Sequence, residues 1–202
     1  MKIKKLAASA IFGLFMVGIA HATPIVYTSR AAWLANTSAV TTADFNAGSD
    51  QAYRGSSYDS SGIHFTTNGT IYSVYGISYD AAYHSSGYLD MEGSTHGMSF
   101  GSAINALSFD FGAFYDNAVN LSITLSNGLS FALTSPSSSY GFFGITSDTA
   151  FTSLSITTNN SFTAFDNVSY GTAAVPEPAT LALAGLGVAG VAMSRRRKRV
   201  AA

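Results

Sequence analysis

The chain contains no cysteine. A disulfide framework and a thiolate metal site are both closed to it, so stability has to come from packing, with or without a bound ion. Basic residues are nearly as scarce away from the ends. Between Thr23 and Thr172 only Arg30 and Arg54 occur, against nine aspartates and Glu92. Two bases against ten acids give this span a net charge of −8 when every carboxylate is ionised, although the whole chain sums to −1. Such a body repels phosphate backbones, which argues against nucleic acid as a partner, and it attracts divalent cations. The body also has no long 3.6-residue hydrophobic pattern, no convincing internal repeat and no histidine beyond His96.

The missing positive charge sits at the two ends. Lys2, Lys4 and Lys5 precede an apolar run from Leu6 to Ala20, and Ala20-His21-Ala22 places small residues at both recognition positions of a cleavage site. Residues 1–22 therefore read as a signal peptide for the secretion machinery, and the mature chain is expected to begin near Thr23. At the other end, Ala179 to Met193 is an uncharged run of 15 residues rich in Ala, Leu and Gly. As a helix it would reach only about 22 Å, a weak transmembrane span. The basic cluster of Arg195, Arg196, Arg197, Lys198 and Arg199 would hold the tail in the cytoplasm and leave the body outside. Gly185, Gly187 and Gly190 match a dinucleotide fingerprint in spacing, but only 12 residues follow and no βαβ unit is possible.

Val175-Pro176-Glu177-Pro178, the short apolar helix and the Arg-rich end together resemble the PEP-CTERM sorting signal of Gram-negative bacteria. The resemblance implies recognition and processing by exosortase, an integral-membrane protease. The inner-membrane anchor would then be transient, and delivery would be to the cell surface or the exopolysaccharide matrix. The sorting residues it implies are Val175, Pro176, Glu177, Pro178, Arg195, Arg196 and Arg197. The expected organisation is signal peptide 1–22, β-sandwich 23–172, linker 173–178 with the Pro-Glu-Pro motif, transmembrane helix 179–194 and cytoplasmic tail 195–202.

The body reads as all-β. Leu121, Ile123 and Leu125 alternate with polar residues, Asn127-Gly128 turns the chain, and Leu129, Phe131 and Leu133 return. Ile63 and Phe65 alternate ahead of Asn68-Gly69, which reads as a second turn. Ile104 to Phe111, Tyr140 to Asp148, Phe151 to Asn160 and Ser161 to Gly171 supply further short strands, and one or two helical turns capped by Ser29 carry Trp33 inward. An antiparallel β-sandwich, with a jelly roll as first choice, is expected.

Candidate sites are fewer. Phe109-Asp110-Phe111-Gly112, Phe142 to Ile145 and Phe165-Asp166-Asn167-Val168 resemble strands of jelly-roll carbohydrate-binding modules. That resemblance implies a structural calcium with Asp166 as ligand and Asp44 as partner. Alternatively, Asp166 caps a turn through its own backbone. Seven of the eleven tyrosines lie between Tyr53 and Tyr88. Tyr72, Tyr75, Tyr79 and Tyr83 are candidates for stacking on sugar rings, or for lining a sandwich face as structure. Gly97-Met98-Ser99-Phe100-Gly101 fits a nucleophile elbow, but a strand follows it and no histidine comes later. His64, Asp80 or Asp90, and Ser99 stand in a protease-like order without other support. His64, His84 and His96 share no metal-ligand spacing and read as surface or half-buried residues. Asp90 and Glu92, two apart on a strand, face one side and could serve a glycosidase. The expected role is non-enzymatic: structural or adhesive, with extracellular polysaccharide. A secreted glycoside hydrolase is the alternative.

Overall fold

The computed structural model describes residues 23–46, 50–75, 87–113, 118–136 and 139–174. The predicted signal peptide, the motif at 175–178, the predicted span at 179–194 and the basic tail lie outside the described residues. Among the described residues no helix is long and apolar enough to cross a membrane.

Among the described residues there are ten strands and one short helix. In chain order they are β1 (Ile25–Tyr27), α1 (Arg30–Leu34), β2 (Thr37–Ala43), β3 (Asp50–Ser60), β4 (Ile63–Tyr75), β5 (Tyr88–Glu92), β6 (Thr95–Ala113), β7 (Asn120–Leu125), β8 (Ser130–Thr134), β9 (Gly141–Thr158) and β10 (Phe162–Ala173). Every ladder is antiparallel. The all-β antiparallel expectation is therefore met.

The long strands change partners midway, and this builds the sandwich. In β4, Ile63–Thr67 pair with β6, whereas Ile71–Val74 pair with β5. In β9, residues 141–146 pair with the second half of β6 and residues 153–157 with its first half. One layer thus holds the start of β3, the end of β4, β5, β10, the end of β6, the start of β9, and β1, with β2 beside β10. The other holds the end of β3, the start of β4, the start of β6, the end of β9, β7 and β8. Strand alternation places Ile71, Leu89, Phe109, Phe143 and Phe165 of the first layer against Phe65, Met98, Ile123, Leu154 and Ile156 of the second in one buried cluster. Rings meet across the interlayer space: Phe45 and Phe65 at 5.7 Å, Phe131 and Phe143 at 5.4 Å. Burying each such side chain is worth about 1.5–3 kcal/mol, which suits a chain with no disulfide to rely on.

Two local expectations hold and one fails. The 120–134 hairpin turns at Asn127-Gly128, where Gly128 has φ 91 and its N–H donates to the Leu125 carbonyl. Ser29 caps α1 by accepting from the Ala32 amide, and Trp33 is fully buried with its indole N–H on the Ile145 carbonyl at 3.1 Å. Asn68-Gly69, however, does not turn the chain, because β4 runs through it. Asn68 Oδ1 accepts from the Ser94 and Thr95 amides, and a side chain at Gly69 would come within 2.5 Å of the Glu92 carbonyl. The pair marks the point where β4 passes from one layer to the other.

Candidate functional site: the outer faces of the two layers

Two cross-strand rows start from β3, one on the outside of each layer. In the first layer the register aligns Tyr53, Tyr72, Asp90, Ala164 and Gly112 across β3, β4, β5, β10 and β6. Directly opposed residues share a face, with Cβ atoms about 4.5–5.5 Å apart. Their chain neighbours Ile71, Leu89, Phe111 and Phe165 point into the core, so this row points out. Tyr53 is 71% exposed and meets the Tyr72 ring edge-on at 5.8 Å. Val74, Tyr88 and Ala164 form a small buried cluster on the same face, with Tyr72 and Tyr140 packed against it.

Asp90 lies in the middle of this row and is only 4% exposed. Its Oδ1 has no hydrogen-bond partner among the described residues. Burial, and after it the charge of Glu92 two residues on, push its pKa up to about 7. Partial burial and then Glu92 also raise the Tyr72 hydroxyl, which places the tyrosine within the field of the carboxylates. Glu92 is half-buried at the strand end, in register with Phe162, whose ring is 38% exposed.

One row further along this face, Asp166 and Asp110 oppose each other across β10 and β6, and Phe142 follows on β9. Asp166 is buried, and its Oδ1 accepts the Asn167 amide at 2.6 Å. Asn167 has φ 49 at the bulge of β10, and its side-chain amide donates to both Asp110 Oδ2 and Asp166 Oδ2 at 3.0 Å. A cation is already seated here. Arg30, projecting from α1, lies 2.9 Å from Asp110 Oδ2, donates to the Asn167 carbonyl and Ser169 Oγ, and covers the Phe142 ring at 5.1 Å. Asp44, the expected second calcium ligand, is exposed and accepts from the Asn46 amide. Asp44 and Asp166 would bring two of the several oxygens that calcium takes, and among the described residues no group of three or more acidic or imidazole side chains could hold a metal.

The row on the second layer runs Asp59, His64, Ser99, Ser153 across β3, β4, β6 and β9. Asp59 Oδ1 sits 2.7 Å from His64 Nδ1, with the two side chains 80% and 47% exposed. An open depression of about 300 Å³ lies beside them, lined also by Gly62, Ile63, Phe100 and Gly101. The residue types are those of a hydrolytic relay, but Ser99 lies in β6 rather than in an elbow and makes no hydrogen bond to His64. The rest of this face is hydroxyl-rich, with Thr66, Thr95, Ser122, Thr124, Ser155 and Thr157.

Of the predicted tyrosines, Tyr72 is on the first-layer face, Tyr75 ends β4, and Tyr79 and Tyr83 lie outside the described residues, as do Asp80 and His84. Tyr53 is the partner that reading by near-helical spacing missed, because the relevant neighbour is across a ladder. His96 is not a surface residue. It is 2% exposed, its Nδ1 pairs with Thr67 Oγ1 at 3.0 Å, its ring meets Phe165, and burial lowers its pKa to about 4.

Residues 174–198 match the family model of the PEP-CTERM protein-sorting motif. The protein thus carries a signal for export and membrane-anchored sorting toward the cell surface, with processing by an exosortase. No curated protein matches the chain. Among solved structures, the body is similar to the catalytic domain of a family GH87 α-1,3-glucanase in complex with tetrasaccharides, at TM-score 0.38 and 11% identity, over 70% of this chain and 30% of that one. It is also similar to a Podospora anserina GH26-CBM35 β-(1,4)-mannanase, at TM-score 0.28 and 15% identity, over 77% and 28%. A tailspike protein of bacteriophage CBA120 matches at TM-score 0.27 and 12% identity, over 69% and 20%. The chain thus spans less than a third of the length of each.

Proposed function

We propose that the protein is a surface or extracellular-matrix component whose sandwich, of jelly-roll kind, binds or braces exopolysaccharide without catalysing a reaction. On this reading residues 1–22 are lost on export. The 179–194 helix then holds the chain transiently in the inner membrane, with 195–202 in the cytoplasm, until exosortase acts at the Pro-Glu-Pro linker. The observation that supports the role of the body is the tyrosine pair, Tyr53 exposed and Tyr72 half-buried beside it. Tyr53 and Tyr72 present aromatic surface beside polar groups on a rigid sheet, the combination that sugar rings stack on while their hydroxyls find partners. The test is retention of the full chain on a panel of insoluble polysaccharides, with reducing ends assayed in parallel. Retention without release supports a binding protein, and absence of retention on every polysaccharide sinks it.

A hydrolase is the second reading, favoured by one observation: the carboxyl of Asp90 is pushed up to about 7 beside Glu92. Cα atoms two apart on a strand lie about 6.6 Å apart on one face, which leaves the separation that paired glycosidase carboxylates use within reach of the two side chains. Release of reducing ends by the unmutated chain, lost in Asp90→Asn, would replace the first reading with this one.

A further inference from the structure

We propose that the first-layer face takes a glycan bearing free amino groups, of the polyglucosamine class, and rejects polyuronates. The inference rests on the preceding reading, that this face binds polysaccharide. It adds the chemistry of the ligand.

Three observations carry it. The first is the distribution of charge. Asp90 and Glu92 stand on the face, and its one base, Arg30, sits a row away and is already engaged. Arg30 is held by Asp110 and the Asn167 carbonyl. Arg54, next to Tyr53 in the chain, donates through Nε to Ser73 Oγ and lies 4.9 Å from the Tyr58 ring. A polyuronate would lay carboxylates against Asp90 and Glu92, with the one cation of the face already taken up by Asp110, an arrangement that costs affinity and slows encounter. The second is the unsatisfied Asp90 Oδ1. A buried acceptor without a donor is costly, and a ligand that supplies one recovers that cost. An ammonium brings three donors and a full charge. The third is the exposed ring of Tyr53 beside Tyr72. An aromatic face accepts the apolar side of a sugar ring, and it also attracts a cation within about 6 Å. Glu92, nearer solvent than Asp90, makes the first contact, and Asp90 lies deeper along the row.

The probes are particles of polyglucosamine, of its fully N-acetylated form, of a neutral β-glucan and of a polyuronate, each offered to the full chain at low and at high salt. Polyglucosamine is expected to retain the chain at low salt, with a loss of about tenfold at high salt as surface charges are screened. Glu92→Gln should weaken retention about threefold to fivefold and Tyr53→Ala about tenfold. Asp59→Asn removes the same unit of charge from the other layer and should leave retention unchanged. Equal retention on the N-acetylated or neutral polymer, or any retention on polyuronate, overturns the inference while leaving a glycan-binding protein. An equal loss from Asp59→Asn also overturns it, since net charge alone would then explain the attraction. Retention on none of the four removes the underlying reading as well.

Discussion

The two layers share a core and four long strands, yet their outer faces are built on different terms. On the first layer the outward row reads Tyr53, Tyr72, Asp90, Ala164, Gly112, and α1 packs Trp33 and Arg30 against the same side. Charges there are buried, paired with a guanidinium or left with an open valence. On the second layer the row reads Asp59, His64, Ser99, Ser153, and its polar groups stay in water. Water satisfies an exposed Asp–His pair for nothing, so that face asks for no ligand and resists few mutations. The buried carboxylate and exposed rings of the first layer cost stability, and such a cost is what a binding surface carries.

The largest asymmetry should come from α1. Trp33→Ala removes a fully buried indole and orphans the Ile145 carbonyl, and it should cost about 3–5 kcal/mol in urea unfolding. Thr157→Ala, exposed on the second layer, should stay within about 0.5 kcal/mol. Comparable losses from the two would erase the distinction between the faces.

Acid should separate two buried groups that oppose each other. Folded Asp90, raised from 3.8 to about 7, holds a proton that the unfolded chain has released between about pH 4 and 7. Its contribution to stability therefore falls as pH rises through that window. Folded His96, lowered from 6.5 to about 4, lacks a proton that the unfolded chain carries below pH 6.5, and its contribution rises with pH. In the unmutated chain the two slopes largely cancel. Asp90→Asn should leave stability rising from pH 4 to 6.5, and His96→Gln should leave it falling toward pH 7, each by on the order of a few kcal/mol. Unfolding free energies from urea titrations across pH 4–8 check both, and parallel curves for the two variants would contradict the burial of either group.

Arg30→Gln should cost about 1–2 kcal/mol, because Asp110 and the Asn167 carbonyl lose their cation while remaining partly reachable by water. Its melt, run with calcium and with chelator, also bears on the expected metal. A calcium-dependent rise in the variant but not in the parent would mean that the guanidinium occupies the place an ion would take. Asp59→Asn should have the smallest effect of the set, below about 0.5 kcal/mol in the same melts, since both partners of that pair are exposed.

Much of the fold was legible because period-2 alternation is strong where one face is buried: β7, β8, residues 95–100 of β6 and residues 154–157 of β9 follow it residue by residue. β3 was not legible. Its sequence is polar, Gly55 sits in a bulge at φ 78, and its register against β4 shifts between Tyr53 and Ser57. Asn68-Gly69 misled because the pair signals a turn wherever it stands, and only its neighbours on β5 and β6 show that it serves a layer crossing. The shared face of Asp90 and Glu92 followed from spacing alone. The row that joins Asp90 to Tyr72 and Tyr53 did not, since cross-strand register depends on turns and bulges that no local pattern reports. The same holds for Arg30, which meets its partners on β6 and β10 from 80 or more positions away.

The most direct test is a pair of binding isotherms on whichever polysaccharide retains the full chain, one for Tyr53→Ala/Tyr72→Ala and one for His64→Ala/Ser99→Ala, each beside the unmutated protein. The first double variant should lose at least about tenfold in affinity while unfolding cooperatively, and the second should bind as the parent does. Equal losses from both, or a loss confined to the second, would contradict a binding face on the first layer.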